Sequence, residues 1–190
     1  MSIDDRARWE QRYQQRPPLR APSPLLARIR PHLPPPGALL DIASGPGPDT
    51  PWWQAQGWAV TLADISPTAL ARARAAFPGV QTHCLDLEDD PIPTGPWDLI
   101  VCQSYLQRGL FAPMAAALRV GGGLLFSQPT VTNLERNARP SRRFLIERGE
   151  AARLVAGAGL AVAAWGEEWG PDGRHVGWVV GIKKAKSPTG

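Results

Sequence analysis

Residues Leu39 to Asp49, Leu-Leu-Asp-Ile-Ala-Ser-Gly-Pro-Gly-Pro-Asp, run two apolar side chains into a carboxylate and then into a turn of small residues. A second apolar run, Val60 to Ala63, ends on the carboxylate of Asp64. A strand, a glycine turn, a helix and an acid-tipped strand make the first half of a nucleotide-binding βαβ unit. Gly45 and Gly47 let the backbone approach a ligand closely, and the second acid can hold two ribose hydroxyls. The predicted ligand therefore contains adenosine. A dinucleotide fingerprint would place a third glycine at position 50, where this chain has Thr50, with Pro48 interrupting the turn.

The rest of the chain reads as alternating strands and helices. A polar helix through about Arg16 carries Trp9 and Tyr13 on one face and stops at Pro17-Pro18. A short helix over Ser23 to His32 precedes Pro34-Pro35-Pro36-Gly37. Strands are predicted over Ala38–Ile42, Trp58–Ala63, Val80–Leu85, Trp97–Gln103 and Leu124–Ser127. Helices are predicted over about 49–56, from Ser66-Pro67 to before Pro78-Gly79, and over about 112–119, the last ended by Gly121-Gly122-Gly123. After a loop, a helix near Glu150–Ala156 leads to two strands, Leu160–Glu168 and His175–Lys183. Gly170-Pro171-Asp172-Gly173 joins these as a hairpin, so they run antiparallel. Lys184 onward reads as a tail.

At 190 residues the chain suits one domain over 1–190, with N-terminal helices in 1–36, a core in 37–183 and a tail in 184–190. A net charge of +4 admits an anionic substrate but is too diffuse to predict nucleic-acid binding. Cys84 and Cys102 sit in apolar runs and read as buried free thiols, without a disulfide framework or a metal site. No run is long enough to span a bilayer and no signal-peptide core opens the chain, so a cytoplasmic location without membrane partners is expected.

The order Asp41-x-Ala43-x-Gly45-x-Gly47 resembles motif I of the class I S-adenosylmethionine (SAM) dependent methyltransferases, and the terminal hairpin is similar to the end of their sheet. The resemblance implies a Rossmann-like α/β fold: a seven-stranded, mostly parallel sheet with an antiparallel C-terminal strand, in three αβα layers. It implies S-adenosyl-L-methionine as cofactor and a small-molecule methyl acceptor as the partner. Carried over residue by residue, it places Asp41 near the methionine ammonium and the turn from Ala43 to Gly47 beneath the methionine part. Asp64 comes to the ribose, Asp86 to the adenine amino group, and the backbone of Leu87 to the ring, with Ile65 among the cofactor-binding residues. Gln103, Ser104 and Tyr105 face the methyl group.

Three further patterns narrow the likeness to small bacterial enzymes related to tellurite-resistance and thiopurine methyltransferases. They are Trp9-Glu10-Gln11-Arg12-Tyr13, Tyr105-Leu106-Gln107-Arg108 with Leu110-Phe111, and Arg143 to Glu150. On this reading Trp9, Tyr13, Tyr105 and Arg108 contact the substrate, the aromatic rings through cation–π attraction to a sulfonium, with simple packing as the alternative. Relatives carry Cys at the Ser44 position and Arg-Asn where Pro48-Asp49 stand; Asp49 adds negative charge near the methionine end.

Asp64 could instead cap the following helix, Asp86 could belong to a solvated acidic loop with Glu88, Asp89 and Asp90, and Asp41 could serve only the turn. No general base stands out: His83 reads as core, His32 ends a helix and His175 starts the last strand. An already ionised or soft nucleophile of the S, Se or Te type needs none. Arg136, Arg139, Arg142, Arg143 and Arg148 form either a solvated loop or a lid that attracts an anion. The rival functions are a catalytically silent SAM-binding module and a nicotinamide-dependent oxidoreductase.

Overall fold

A computed structural model describes residues 3–15 and 19–185. Its centre is a seven-stranded sheet in the order β3-β2-β1-β4-β5-β7-β6. The strands are β1 (Ala38–Ile42), β2 (Ala59–Asp64), β3 (Gln81–Cys84), β4 (Trp97–Gln103), β5 (Leu118–Pro129), β6 (Ala161–Trp169) and β7 (His175–Ile182). β3, β2, β1, β4 and β5 pair in parallel, and β7 runs antiparallel to both β5 and β6. The helices are α1 (Ile3–Gln14), α2 (Leu25–Ile29), α3 (Thr50–Ala55), α4 (Pro67–Ala76), α5 (Phe111–Ala117) and α6 (Glu150–Gly157). The expected end of the first helix at Arg16 with Pro17-Pro18, and the tail from Lys186, lie outside the described residues. None of the described helices is long and apolar enough to cross a membrane.

The central strands are apolar on both sides because each side is covered. Leu40, Ile42, Ile100, Phe126 and Val179 face α5 and α6, where they meet Phe111, Met114 and Val155. Leu39, Leu62, Leu99, Leu125 and Val180 face the other way, against Leu26 and Ile29 of α2, Trp53 of α3 and Leu70 of α4. Two cores, one on each face, give the three layers.

Two local readings are corrected. Gly121-Gly122-Gly123 does not stop the chain before the fifth strand, because β5 begins at Leu118 and runs through all three. Gly121 N–H donates to Lys183 C=O and Lys183 N–H to Gly122 C=O, so the glycine backbone is held from the next strand. A Cβ on Gly122 would stand 2.9 Å from the carbonyl oxygen of Trp97, and the register with β4 slips here. Gly122 and Gly123 permit close approach, and Gly121 supplies a positive φ of 82° within the strand.

The second correction concerns β3. His83 and Cys84 are exposed, not core. β3 is the edge of the sheet, so it has a pairing partner on one side only. Cys102 is buried as expected.

Candidate functional site

β1 lies between β2 and β4, so the chain leaves β1 toward one side of the sheet and later returns on the other. At such a reversal the connections diverge and open a crevice at the carboxyl ends of the strands. The turns after β1, β2 and β4 meet there. Their backbones are unusual: Ala43 and Ser104 take positive φ of 51° and 58°, and Gly45 and Gly47 take 56° and 64°. Left-handed conformations at non-glycine residues cost energy and gather where a ligand is positioned.

Asp41, Asp49 and Asp64 lie near one another here, each with different company. Asp64 is 5% exposed. One of its oxygens accepts the Gly45 N–H at 2.7 Å and the other accepts the Ser66 N–H at 2.9 Å. It therefore clamps the glycine turn to the start of α4, while Ser66 itself caps that helix by accepting the Ala69 N–H. Burial pushes the Asp64 carboxyl up, and the amides of Ser66, Gly45 and Ile65 oppose the rise. A carboxylate carries about four acceptor sites, so with three amides directed at it about one remains for a hydroxyl donor.

Asp41, also 5% exposed, receives no hydrogen bond from the described residues. Burial, then the neighbouring charges of Asp49 and Asp64, hold its carboxyl well above the usual range. A buried carboxyl with no donor is an arrangement that a cation would complete.

Asp49 has its own partners. It accepts the Ser23 N–H and the Gln103 Nε2–H, each at 2.7 Å. Burial raises its carboxyl as well, against these donors and the charge of Arg20. Its charge thus ties the segment before α2 to the tip of β4. Gln103 in turn accepts the Ser127 hydroxyl at 3.3 Å, which joins β4 to β5.

On the β3 side, Leu87 is buried and Asp86 half-buried, with Asp86 accepting the Glu88 N–H at 3.0 Å. Ile65 is buried beside Asp64. Tyr105 is half-buried and donates its hydroxyl to Gln107 at 2.7 Å; burial, with Glu88, Cys102 and Asp86 nearby, raises its phenol. Arg108 turns aside to Glu150 at the start of α6, at 2.6 Å. His175 pairs with Thr130 at 2.7 Å and packs edge-on against Trp169.

The first helix closes the crevice. Trp9 and Tyr13 stack with centroids 5.9 Å apart. Tyr13 is buried, and a Cβ on Gly45 would lie 2.5 Å from its hydroxyl. Gly45→Ala should therefore displace Tyr13 and strain a left-handed turn, at a cost of about 1–3 kcal/mol. Thermal unfolding checks this, with an expected drop in Tm of about 2–4 °C per kcal/mol for a chain of this size. An open groove of about 840 Å³ starts at Leu87 and runs between Glu88–Pro96 and α5, with Gln107 on its wall, and no residue of the glycine turn lines it.

Of the residues singled out in the sequence, the fold gathers Asp41, Ala43, Gly45, Gly47, Asp64, Ile65, Gln103 and Tyr13, with Trp9 stacked on Tyr13, whereas Arg108 pairs with Glu150. Not among them is Glu10, whose carboxylate accepts the hydroxyls of Ser66 and Thr68 at the start of α4. No local pattern signals a contact between residues 58 apart.

Comparison with known proteins supports the fold. Residues 39–122 match the family model described as a methyltransferase domain. No curated protein matches in sequence. Among solved structures, the chain is similar to an S-adenosylmethionine dependent methyltransferase from Mesorhizobium loti, with TM-score 0.69 and 21% identity over 83% of this chain and 96% of that one. It is similar to the protein described for conversion of a disulfide bond into a thioacetal group during echinomycin biosynthesis, with TM-score 0.73 and 19% identity over 98% and 94%. It is also similar to a TehB-like SAM-dependent methyltransferase from Corynebacterium glutamicum, with TM-score 0.63 and 20% identity over 95% and 99%.

Proposed function

Because the chain has the class I SAM-dependent methyltransferase fold, whose cofactor is SAM, we propose that it transfers a methyl group from SAM to a small-molecule acceptor with a soft nucleophile of the S, Se or Te type. The observation that carries the cofactor assignment is Asp41, a buried carboxyl that no donor among the described residues reaches, next to a turn fastened by Asp64. A donor set of carboxylates suits a ligand with an ammonium, a sulfonium and two ribose hydroxyls.

The residues divide the work by position. Asp41 neutralises the ammonium end. Asp64 offers its remaining acceptor site to the ribose. Leu87 and Ile65 give the adenine apolar walls, with Asp86 at its amino edge. Bound there, SAM supplies a methyl group already activated as a sulfonium. Methyl transfer is an in-line displacement, so holding the acceptor in line and excluding water supply much of the acceleration. Gln103 and Ser104 at the tip of β4, with Tyr105 beside them, line the acceptor side. Tyr105 has its proton tied to Gln107 and its phenol raised, which makes it a poor base at neutral pH. That supports an acceptor that arrives ionised or soft. The neighbour that converts a disulfide into a thioacetal acts at sulfur, in line with this choice.

The test is incubation with methyl-labelled SAM and a panel of thiol, selenol, hydroxyl and amine acceptors. Label is expected in thiol or selenol products. Label in hydroxyl or amine products alone would overturn the soft-acceptor reading, and cofactor binding with no labelled product would favour a silent SAM-binding module.

A further inference from the structure

The reading of this crevice as a cofactor site leaves one question: how a nucleoside reaches Asp64. In the structure it is shut. Asp41 and Asp64 are both 5% exposed, and Tyr13 lies on Gly45. The element that shuts it, α1, is fastened to α4 by polar contacts. The Glu10 carboxylate accepts the Ser66 hydroxyl through one oxygen and the Thr68 hydroxyl through the other, with the Thr68 N–H at 3.4 Å. Arg72 of α4 donates to the Tyr13 carbonyl at 2.9 Å.

We propose that Glu10 is a positioning residue that latches α1 over the cofactor cleft, so that exchange of SAM for S-adenosylhomocysteine (SAH) proceeds through release of this latch. The proposal rests on the cofactor reading above. Three features support it. Ser66 follows Asp64 by two residues, so the latch fastens directly onto the loop that carries the ribose acid. Ser66 uses its lone pair to cap α4 and its proton to hold Glu10, so forming the latch leaves the cap intact. The carboxylate also sits at the amino end of a ten-residue helix, where negative charge is favoured. Although burial pulls the Glu10 carboxyl upward, the Ser66 and Thr68 donors more than offset it, and the carboxyl stays ionised through neutral pH.

Glu10 is placed to act through Tyr13. It lies one turn before Tyr13 on α1, and the Tyr13 carbonyl is the group Arg72 holds. When Glu10 lets go, the tyrosine leaves Gly45 and the turn opens.

Stopped-flow measurement of SAH association and dissociation on the full chain, followed by tryptophan fluorescence, tests this. Glu10→Ala should speed both by about tenfold, since it removes two charge-assisted hydrogen bonds. Thr68→Val, which removes one donor from the opposite side and leaves α1 untouched, should speed both by about threefold to tenfold and remain informative if Glu10→Ala fails to fold. In the double variant the effects should fall short of additive, because both substitutions break the same contact. Exchange rates unchanged in folded variants would overturn the latch while leaving the cofactor reading intact. No SAH binding by the unaltered protein would overturn both.

Discussion

Replacing Asp41 with Asn is expected to stabilise the ligand-free protein and to weaken SAH binding at the same time. Asp41 is buried, near two other carboxylates and without a donor among the described residues, so its ionised form is costly in the free protein. Its folded-state pKa is raised. The stability tied to Asp41 is therefore fully present below the unfolded-state value, and it is lost as pH rises through the folded-state value. Removing the charge should gain about 1–2 kcal/mol at neutral pH and flatten this part of the pH dependence of stability. In the complex the same charge is favourable because an ammonium faces it, so SAH should bind at least about tenfold more weakly to Asp41→Asn. The same linkage gives the unaltered protein an SAH affinity that rises with pH through the raised carboxyl range, with protons released on binding. Thermal unfolding across pH, with and without SAH, checks both halves. A variant less stable at neutral pH, or one that binds SAH as well as the parent, would show that Asp41 serves the turn alone.

Asp64→Ala is expected to do more damage. The Gly45 and Ser66 N–H groups would lose their acceptor in a buried setting, at a cost of about 2–4 kcal/mol for the two. Loss of the ribose contact should weaken SAH by at least an order of magnitude beyond that, since charge-assisted bonds contribute about 1.5–3 kcal/mol each. Asp64→Asn separates the two effects. Its amide oxygen still accepts one of the two N–H groups, so stability should fall less while SAH affinity stays low. Titration with SAH under conditions where both variants are folded reads the difference, and full affinity in Asp64→Asn would remove the ribose role.

What the chain reveals by itself is uneven, for physical reasons. β1 and β4 were legible to the residue and β2 to within one, because central strands are apolar on both faces and glycine or proline bounds them. Asp41, Gly45, Gly47 and Asp64 were legible because a tight turn between an acid-bearing strand and a helix restricts its residue types. Failures came where the deciding contact was distant in sequence. Gly121-Gly122-Gly123 has the composition of a breaker, yet Lys183 holds it in a strand. His83 and Cys84 read as core until the strand order put β3 at an edge. Asp49 looked like an unwelcome charge at the methionine end. Its partners, Ser23 and Gln103, lie 26 and 54 residues away, and no window of sequence contains them. Glu10 was hidden for the same reason. The acids at the strand tips were readable, and their long-range contacts were not.

The central claim is that this crevice binds SAM and its product rather than a dinucleotide. Calorimetric titration of the full chain with SAH, with NADH as the control, tests it most directly. Micromolar binding of SAH and none of NADH is the predicted result. Binding of NADH, or of neither ligand, would contradict it.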